Sequence, residues 1–113
     1  MLQLEIEGAG AAVAAQALTE LEGFDAGWES LGDDGMTRRD PMTVMAALAT
    51  IVGLVGGTLE IAERLIAWYR HFKQKAPSDK TIDKVIVQIG ARRIDLENTT
   101  VAQLKTILDS LDF

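Results

Sequence analysis

The chain has no cysteine and a single histidine, His71, and these two shortages remove most site chemistry at the outset. Without thiols there is no disulfide scaffold, no thiolate zinc site, no iron–sulfur cluster and no cysteine nucleophile. One imidazole cannot build a histidine-rich metal site, and it leaves little for acid–base chemistry near neutral pH. Aromatics are 5% of the residues, so the core has to be filled by Ala, Val, Ile and Leu. A net charge of −6 argues against strong binding to nucleic acid, whose phosphates demand cations. The N-terminus has acids where a signal peptide needs an apolar stretch, and no basic residues ahead of them. What remains is 113 residues, 48% apolar and 25% charged, the size and balance of one packed domain.

The charge is unevenly spread. Residues 1–40 hold nine acids against two bases, and residues 61–93 hold eight bases against three acids. Such a dipolar chain can satisfy its own charges in the fold or present a basic patch to an acidic partner. Within the acidic part, Leu2, Leu4 and Ile6 alternate with Gln3, Glu5 and Glu7, the pattern of a half-buried edge or antiparallel strand. An Ala-rich helix follows through Glu22, with Val13, Ala14, Ala17, Leu18 and Leu21 on one face and Gly23 as its C′ residue. Phe24 to Leu31 reads as a second short strand with Trp28 as its large apolar side chain, and Gly32-Asp33-Asp34-Gly35 as a turn. Residues 1–40 are thus expected to form an acidic βαβ part.

Asp40-Pro41 is an N-cap followed by proline at the first helical position. Nineteen uncharged residues run from Pro41 to Leu59, and as one helix they would extend about 28 Å, near the ~30 Å hydrocarbon core of a bilayer. Ala49, Gly53 and Gly57 stand at four-residue spacing, which lets helices approach closely. Gly53, Gly56 and Gly57 are therefore candidate helix-packing positions. Two readings compete: a membrane span with interfacial aromatics, or a helix or helix pair over 41–75 in a soluble core. The second is favoured, because seven large aliphatics contribute only roughly −3 kcal/mol towards insertion. Gly56-Gly57 also costs about 2 kcal/mol of helix propensity, which is explained if one helix stops there and another begins near Thr58. Ile61, Leu65, Tyr69 and Phe72 then form an apolar stripe, with Trp68 beside it towards Arg64 and His71.

After a linker at Ala76-Pro77-Ser78-Asp79, residues 82–112 read as a hairpin and a helix. Val85–Ile89 and Arg92–Leu96 flank Gly90-Ala91, a two-residue turn with glycine first, as type II′ requires. That register sets Val87 against Ile94 and Val85 against Leu96 on the buried face, and Gln88 against Arg93 and Ile86 against Asp95 on the other. Thr100 with Gln103 three residues on makes a capping box, and Val101, Leu104, Ile107, Leu108 and Leu111 share one helical face. The expected architecture is a small two-layer α+β domain, in the order β-α-β-α-α-β-β-α.

Four constellations could carry chemistry, and none is complete. Gly8-x-Gly10-x-x-Val13 lacks the third glycine of a dinucleotide fingerprint and reads as a strand-to-helix turn. Asp33-Asp34 lacks the ligand spacing of an EF-hand. Arg92 and Arg93, with Lys80 and Lys84 near in sequence, could meet an acidic surface, but adjacent strand residues point to opposite faces. His71 has no neighbouring acid, serine or second histidine to make it a general base. No catalytic residue, metal or cofactor is expected.

A resemblance gives this reading a setting. Gly56-Gly57, a helix ending in Ala67-Trp68-Tyr69-Arg70, a linker, then Lys84-Val85-Ile86-Val87-Gln88-Ile89 and a second strand resemble the effector-associated constant component family. These are small bacterial domains encoded beside caspase-like or trypsin-like peptidase effectors in NTP-dependent conflict systems. The resemblance covers residues 1–108, and the matching motif residues are Gly56, Gly57, Leu65, Ala67, Trp68, Arg70, Val85 and Val87. Two features depart from the family pattern: Gly90-Ala91 replaces a longer Asp-Gly turn, and Gly32–Gly35 replaces a Pro-rich stretch. The resemblance implies a non-catalytic, cytoplasmic adaptor whose partner is a peptidase effector or its regulator. The alternative is a membrane-associated module whose apolar segment 41–72 anchors in or permeabilises a bilayer. Trp68 and Arg70 are the candidate partner-binding residues, on the expectation that Trp68 is partly exposed.

Overall fold

The computed structural model describes residues 2–30, 46–75 and 81–110. Its first strand, β1 (Leu2–Glu7), buries Leu2, Leu4 and Ile6 completely, as the alternation predicts, and leaves Gln3 and Glu5 half-buried. Gly8 then turns the chain into helix α1 (Ala11–Thr19), which buries Ala11, Ala14, Ala15 and Leu18. Of the expected face, Ala14 and Leu18 point inward, Ala17 and Leu21 are partly buried, and Val13 faces solvent. The helix caps at Glu20, so Gly23, at φ +107°, is no C′ residue. Instead its carbonyl accepts from the Val55 and Gly56 N–H groups at 2.7 and 2.9 Å, where strand β2 (Phe24–Ser30) begins.

The uncharged stretch corrects the expected helix, helix pair or membrane span. Residues Ala46–Leu54 form strand β3, paired antiparallel with β1 on one side and β2 on the other. Thr50-Ile51-Val52 supplies β-branched side chains that suit a pleated surface better than a helix. Only after Gly56-Gly57 does the chain enter helix α2 (Thr58–Arg70), which continues into a wide π-type turn at His71–Lys75. At thirteen residues α2 is about 20 Å long, and no helix among the described residues is long and apolar enough to cross a membrane.

The last part follows the expected hairpin and helix. Strands β4 (Lys84–Ile89) and β5 (Arg92–Asp95) pair in the predicted register, Val87 with Ile94, Gln88 with Arg93 and Ile86 with Asp95. Gly90 takes φ +58° and Ala91 does not have positive φ, as a type II′ turn requires. Leu96 leaves the ladder for a 3₁₀ turn, Leu96–Asn98, so its expected pairing with Val85 is replaced by burial in the core. Helix α3 (Val101–Ser110) opens with the reciprocal capping box: Thr100 N–H donates to Gln103 Oε1 at 2.9 Å and Gln103 N–H to Thr100 Oγ1 at 3.1 Å. Leu104 and Leu108 face inward. Residues 31–45, including the Gly32–Gly35 turn and the Asp40-Pro41 cap, lie outside the described residues, as do Pro77, Lys80 and Leu111.

The five strands form one antiparallel sheet in the order β2-β3-β1-β4-β5, with the helices on one face. The fold is therefore α+β with a C-terminal hairpin and helix. One cross-strand row on the helix side runs Trp28, Ala49, Leu4, Val87, Ile94. Under α1 this face carries Ala47 and Ala49, fully buried against a helix whose inward side is also alanine. Small residues on both partners let helix and sheet approach closely, which suits a chain poor in aromatics to a close-packed core. The opposite face bears Gly27, Thr50, Gln3, Gln88 and Arg93 in one row, and Glu29, Leu48, Glu5, Ile86 and Asp95 in the next.

Candidate interaction surface

Trp68 is not a surface anchor. It is 5% exposed, and its indole Nε1 donates to the Ala14 carbonyl at 2.9 Å, joining α2 to α1 beneath the sheet. Its ring lies 6.2 Å from that of Phe72, another buried aromatic. The expected partial exposure is thus corrected: α2 is broad enough on its apolar side to bury Trp68 as well as Tyr69, because α1 covers the flank that the periodicity left open. Arg70 is exposed and points away from this cluster. The two proposed binding residues do not share a surface.

The three glycines are corrected as well. Gly53 lies in β3, where a side chain would meet only the Asp25 carboxylate at 3.9 Å. Gly56 comes within ordinary contact of Gly23, and Gly57 is the N-cap of α2 with φ −70° and open space around it. None of them packs helix on helix, since Gly53 is in a strand and Gly56 and Gly57 form the turn between that strand and α2.

The glycine motif after β1 is filled by the chain itself. A Cβ on Gly8 would fall 2.6 Å from the backbone of Ile82 and Asp83, and Gly10 N–H donates to the Thr81 carbonyl at 2.8 Å. The space a dinucleotide pyrophosphate would need is occupied by the approach to β4. His71 is exposed at the start of the π-type turn, with its ring edge-on to Phe72 at 5.0 Å. Among the described residues no three histidine or carboxylate side chains are grouped to hold a metal.

The basic residues of 61–93 are dispersed by the fold. Lys73 reaches back to the Asp83 carbonyl at 3.1 Å and Glu97 at 3.4 Å, over the Tyr69 ring. Tyr69, followed by Glu97, holds its ammonium pKa above the usual lysine value, outweighing a partial loss of hydration. Arg64 donates to the Glu22 carbonyl at 2.8 Å. Arg93 lies on the helix-free face against Glu5 and Gln88, whereas Arg92 lines a hollow between β5 and α3. The pair points to opposite faces, as expected. That hollow, about 480 Å³, is open and lined by mixed groups including Ile94, Asn98, Thr99 and Gln103.

The other end of the sheet has a different character. Four large apolar side chains are exposed among the described residues: Val55 at 79%, Val52 at 57%, Leu59 at 48% and Val13 at 45%. Three of them lie along the chain where β3 passes into α2 through Gly56-Gly57: Val52 in the strand, Val55 in the turn that hydrogen-bonds Gly23 at the head of β2, and Leu59 in the helix. The fourth, Val13, joins Ala12, Gln16, Ala17, Glu20 and Trp28 around a second hollow of about 400 Å³ between α1 and β2. Trp28 Nε1 donates to Gln16 Oε1 at 3.0 Å, which fixes the indole as the floor of this hollow. Sequence reasoning missed these valines, because helices were expected to bury them. The signal that could have found them is the uncharged run itself, too long for one buried element. No family model, curated protein or solved structure matched the chain.

Proposed function

We propose that the chain is a non-catalytic protein-interaction component of a bacterial conflict system, acting in the cytoplasm beside a caspase-like or trypsin-like peptidase effector. The setting rests on the sequence resemblance. The observation that supports an interaction role is the exposure of large apolar side chains on either side of one turn of the chain: Val52 near the end of β3, Val55 in the turn and Leu59 at the start of α2. Isolated exposed valines are ordinary, but three large apolar side chains exposed within eight residues of one another offer a partner more apolar surface than a single one. The binding residues in this reading are Val52, Val55 and Leu59, in place of Trp68.

Co-purification of the tagged chain with the peptidase encoded beside it tests the proposal. The expected result is a stable complex that Val55→Asp and Leu59→Lys each weaken at least tenfold while the chain's own melting temperature holds. A complex indifferent to both substitutions, or a peptidase that never co-purifies, overturns it.

A further inference from the structure

The two edges of the sheet are built differently. Strand β5 is four residues long, begins with two arginines, and is cut off by the 3₁₀ turn at Leu96, whose first turn Asp95 caps by accepting from Glu97 N–H. Short length, charge and an abrupt end are standard protection against edge pairing. Strand β2 is seven residues long, has no proline or lysine, and among the described residues nothing pairs with its outer side. The register shift opposite Asp25/Ala26 is taken up by Val52 of β3, which has no partner in β2, so β2 itself alternates without a break. Among the described residues no strand takes up the outer backbone groups of β2, and such groups seek partners.

We infer that the β2 edge receives an extended segment of a partner protein as a sixth strand, one that alternates apolar and basic side chains. The alternation follows from the pleat. An added strand would send every second side chain towards the helix side, into the 400 Å³ hollow formed by Trp28, Val13 and Ala17. The intervening side chains would stand beside Asp25 and Glu29 on the helix-free side, both exposed. Residues 2–30 contain no lysine or arginine, and of their carboxylates only Glu5 is in a salt bridge among the described residues. Cations on the incoming strand therefore meet uncompensated charge, while the hollow takes their apolar neighbours.

A second copy of this chain is the poorer occupant. Antiparallel pairing of Phe24–Ser30 with itself over its full length sets Gly27 opposite Gly27, and Asp25 opposite Glu29 twice over. Like charges directly opposite destabilise a strand pair. The acids on this edge thus work against self-association and in favour of a basic partner.

This inference rests on the protein-interaction reading above and is separable from it by experiment. The probe is an acetylated and amidated seven-residue peptide alternating lysine and valine, titrated into the full chain with backbone amide and indole NMR signals followed. The expected result is movement of amides 24–30 and the Trp28 indole, with the Trp68 indole unmoved. Replacing the peptide's lysines by glutamates, or Asp25→Lys with Glu29→Lys in the protein, weakens binding at least tenfold. Asp25→Lys alone turns the self-pairing register attractive, so sedimentation should show a dimer where the parent chain is a monomer. Unmoved amides over 24–30, or equal binding of the lysine and glutamate peptides, overturns the inference. So does a parent chain that already dimerises through β2. Peptide binding lost in the doubly reversed protein with effector capture retained removes the edge from the interaction but leaves the adaptor reading standing. Peptide binding intact with no effector capture does the reverse.

Discussion

Replacing Trp68 by alanine separates the structural account of this side chain from an interfacial one. The ring is 5% exposed, packs beside Phe72, and hydrogen-bonds through its indole nitrogen to Ala14 in a helix fifty-four residues earlier in the chain. Truncating a buried tryptophan removes the transfer free energy of the ring and leaves a cavity, together about 3–5 kcal/mol. Against the roughly 5–15 kcal/mol that holds a domain together, this is a large fraction. At about 4 °C per kcal/mol for a chain of this size, the melting temperature should fall by about 12–20 °C. The urea midpoint, with a slope near 2 kcal/mol per molar, should move down by about 1.5–2.5 M. Trp68→Phe keeps most of the volume but loses the bond to Ala14, so it should fall between, at about 1–3 kcal/mol.

Far-UV circular dichroism in urea is the assay, because tryptophan emission would then come from Trp28 alone. Arg70→Ala, at an exposed position, is the control and should stay within about 0.5 kcal/mol of the parent. A Trp68→Ala protein that melts within about 1 kcal/mol of the parent would refute the burial argument. Loss of effector binding without loss of stability would return Trp68 to the surface.

Three further perturbations probe other parts of the argument. Gly8→Ala forces a side chain into the backbone of Ile82 and Asp83 at φ +135°, and should cost at least about 2 kcal/mol in thermal melts, whereas Gly57→Ser, with open space and ordinary φ, should stay within about 0.5 kcal/mol. Thr100→Ala breaks the reciprocal bonds that open α3 and should cost about 1 kcal/mol, with Gln103→Ala adding less than its own effect in the double variant because the two residues act as a unit. Asp109 accepts from Lys105 and from Thr58 at the start of α2, and these bonds, that from Lys105 first, hold its carboxyl below the usual value of 3.8. A depressed carboxylate stabilises the fold above its unfolded pKa and loses that contribution as pH falls through the folded value. The melting temperatures of the parent and Asp109→Asn should therefore differ at pH 6 and converge as the pH drops below 3.8, and curves that stay parallel would contradict the assignment.

The sequence is most legible where one local rule decides the structure. Glycine at the first turn position fixed the β4–β5 register, and Thr100 with Gln103 fixed the start of α3, because each depends on residues within three or four positions. The alternation in β1 was equally clear, though not its place between β3 and β4, since partners come from distant parts of the chain. Strand β3 was illegible for a physical reason. Its helix side carries Ala47, Ala49 and Ile51, and its free side Leu48, Thr50 and Val52, so both faces are apolar and the period of two disappears. Alanine, with the highest helix propensity, is there because α1 must come close to the sheet, so a tertiary demand was read as a local preference. The same error misplaced Trp68. Helix α2 taken alone leaves Trp68 beside its apolar stripe, whereas α1 decides its burial, and α1 rests on the alanines of β3. Once 46–54 is a strand, the helix layer closes over Trp68, and the residues left outside are those flanking β2. The proposed interaction surface thus follows from the one element whose identity the periodicity conceals.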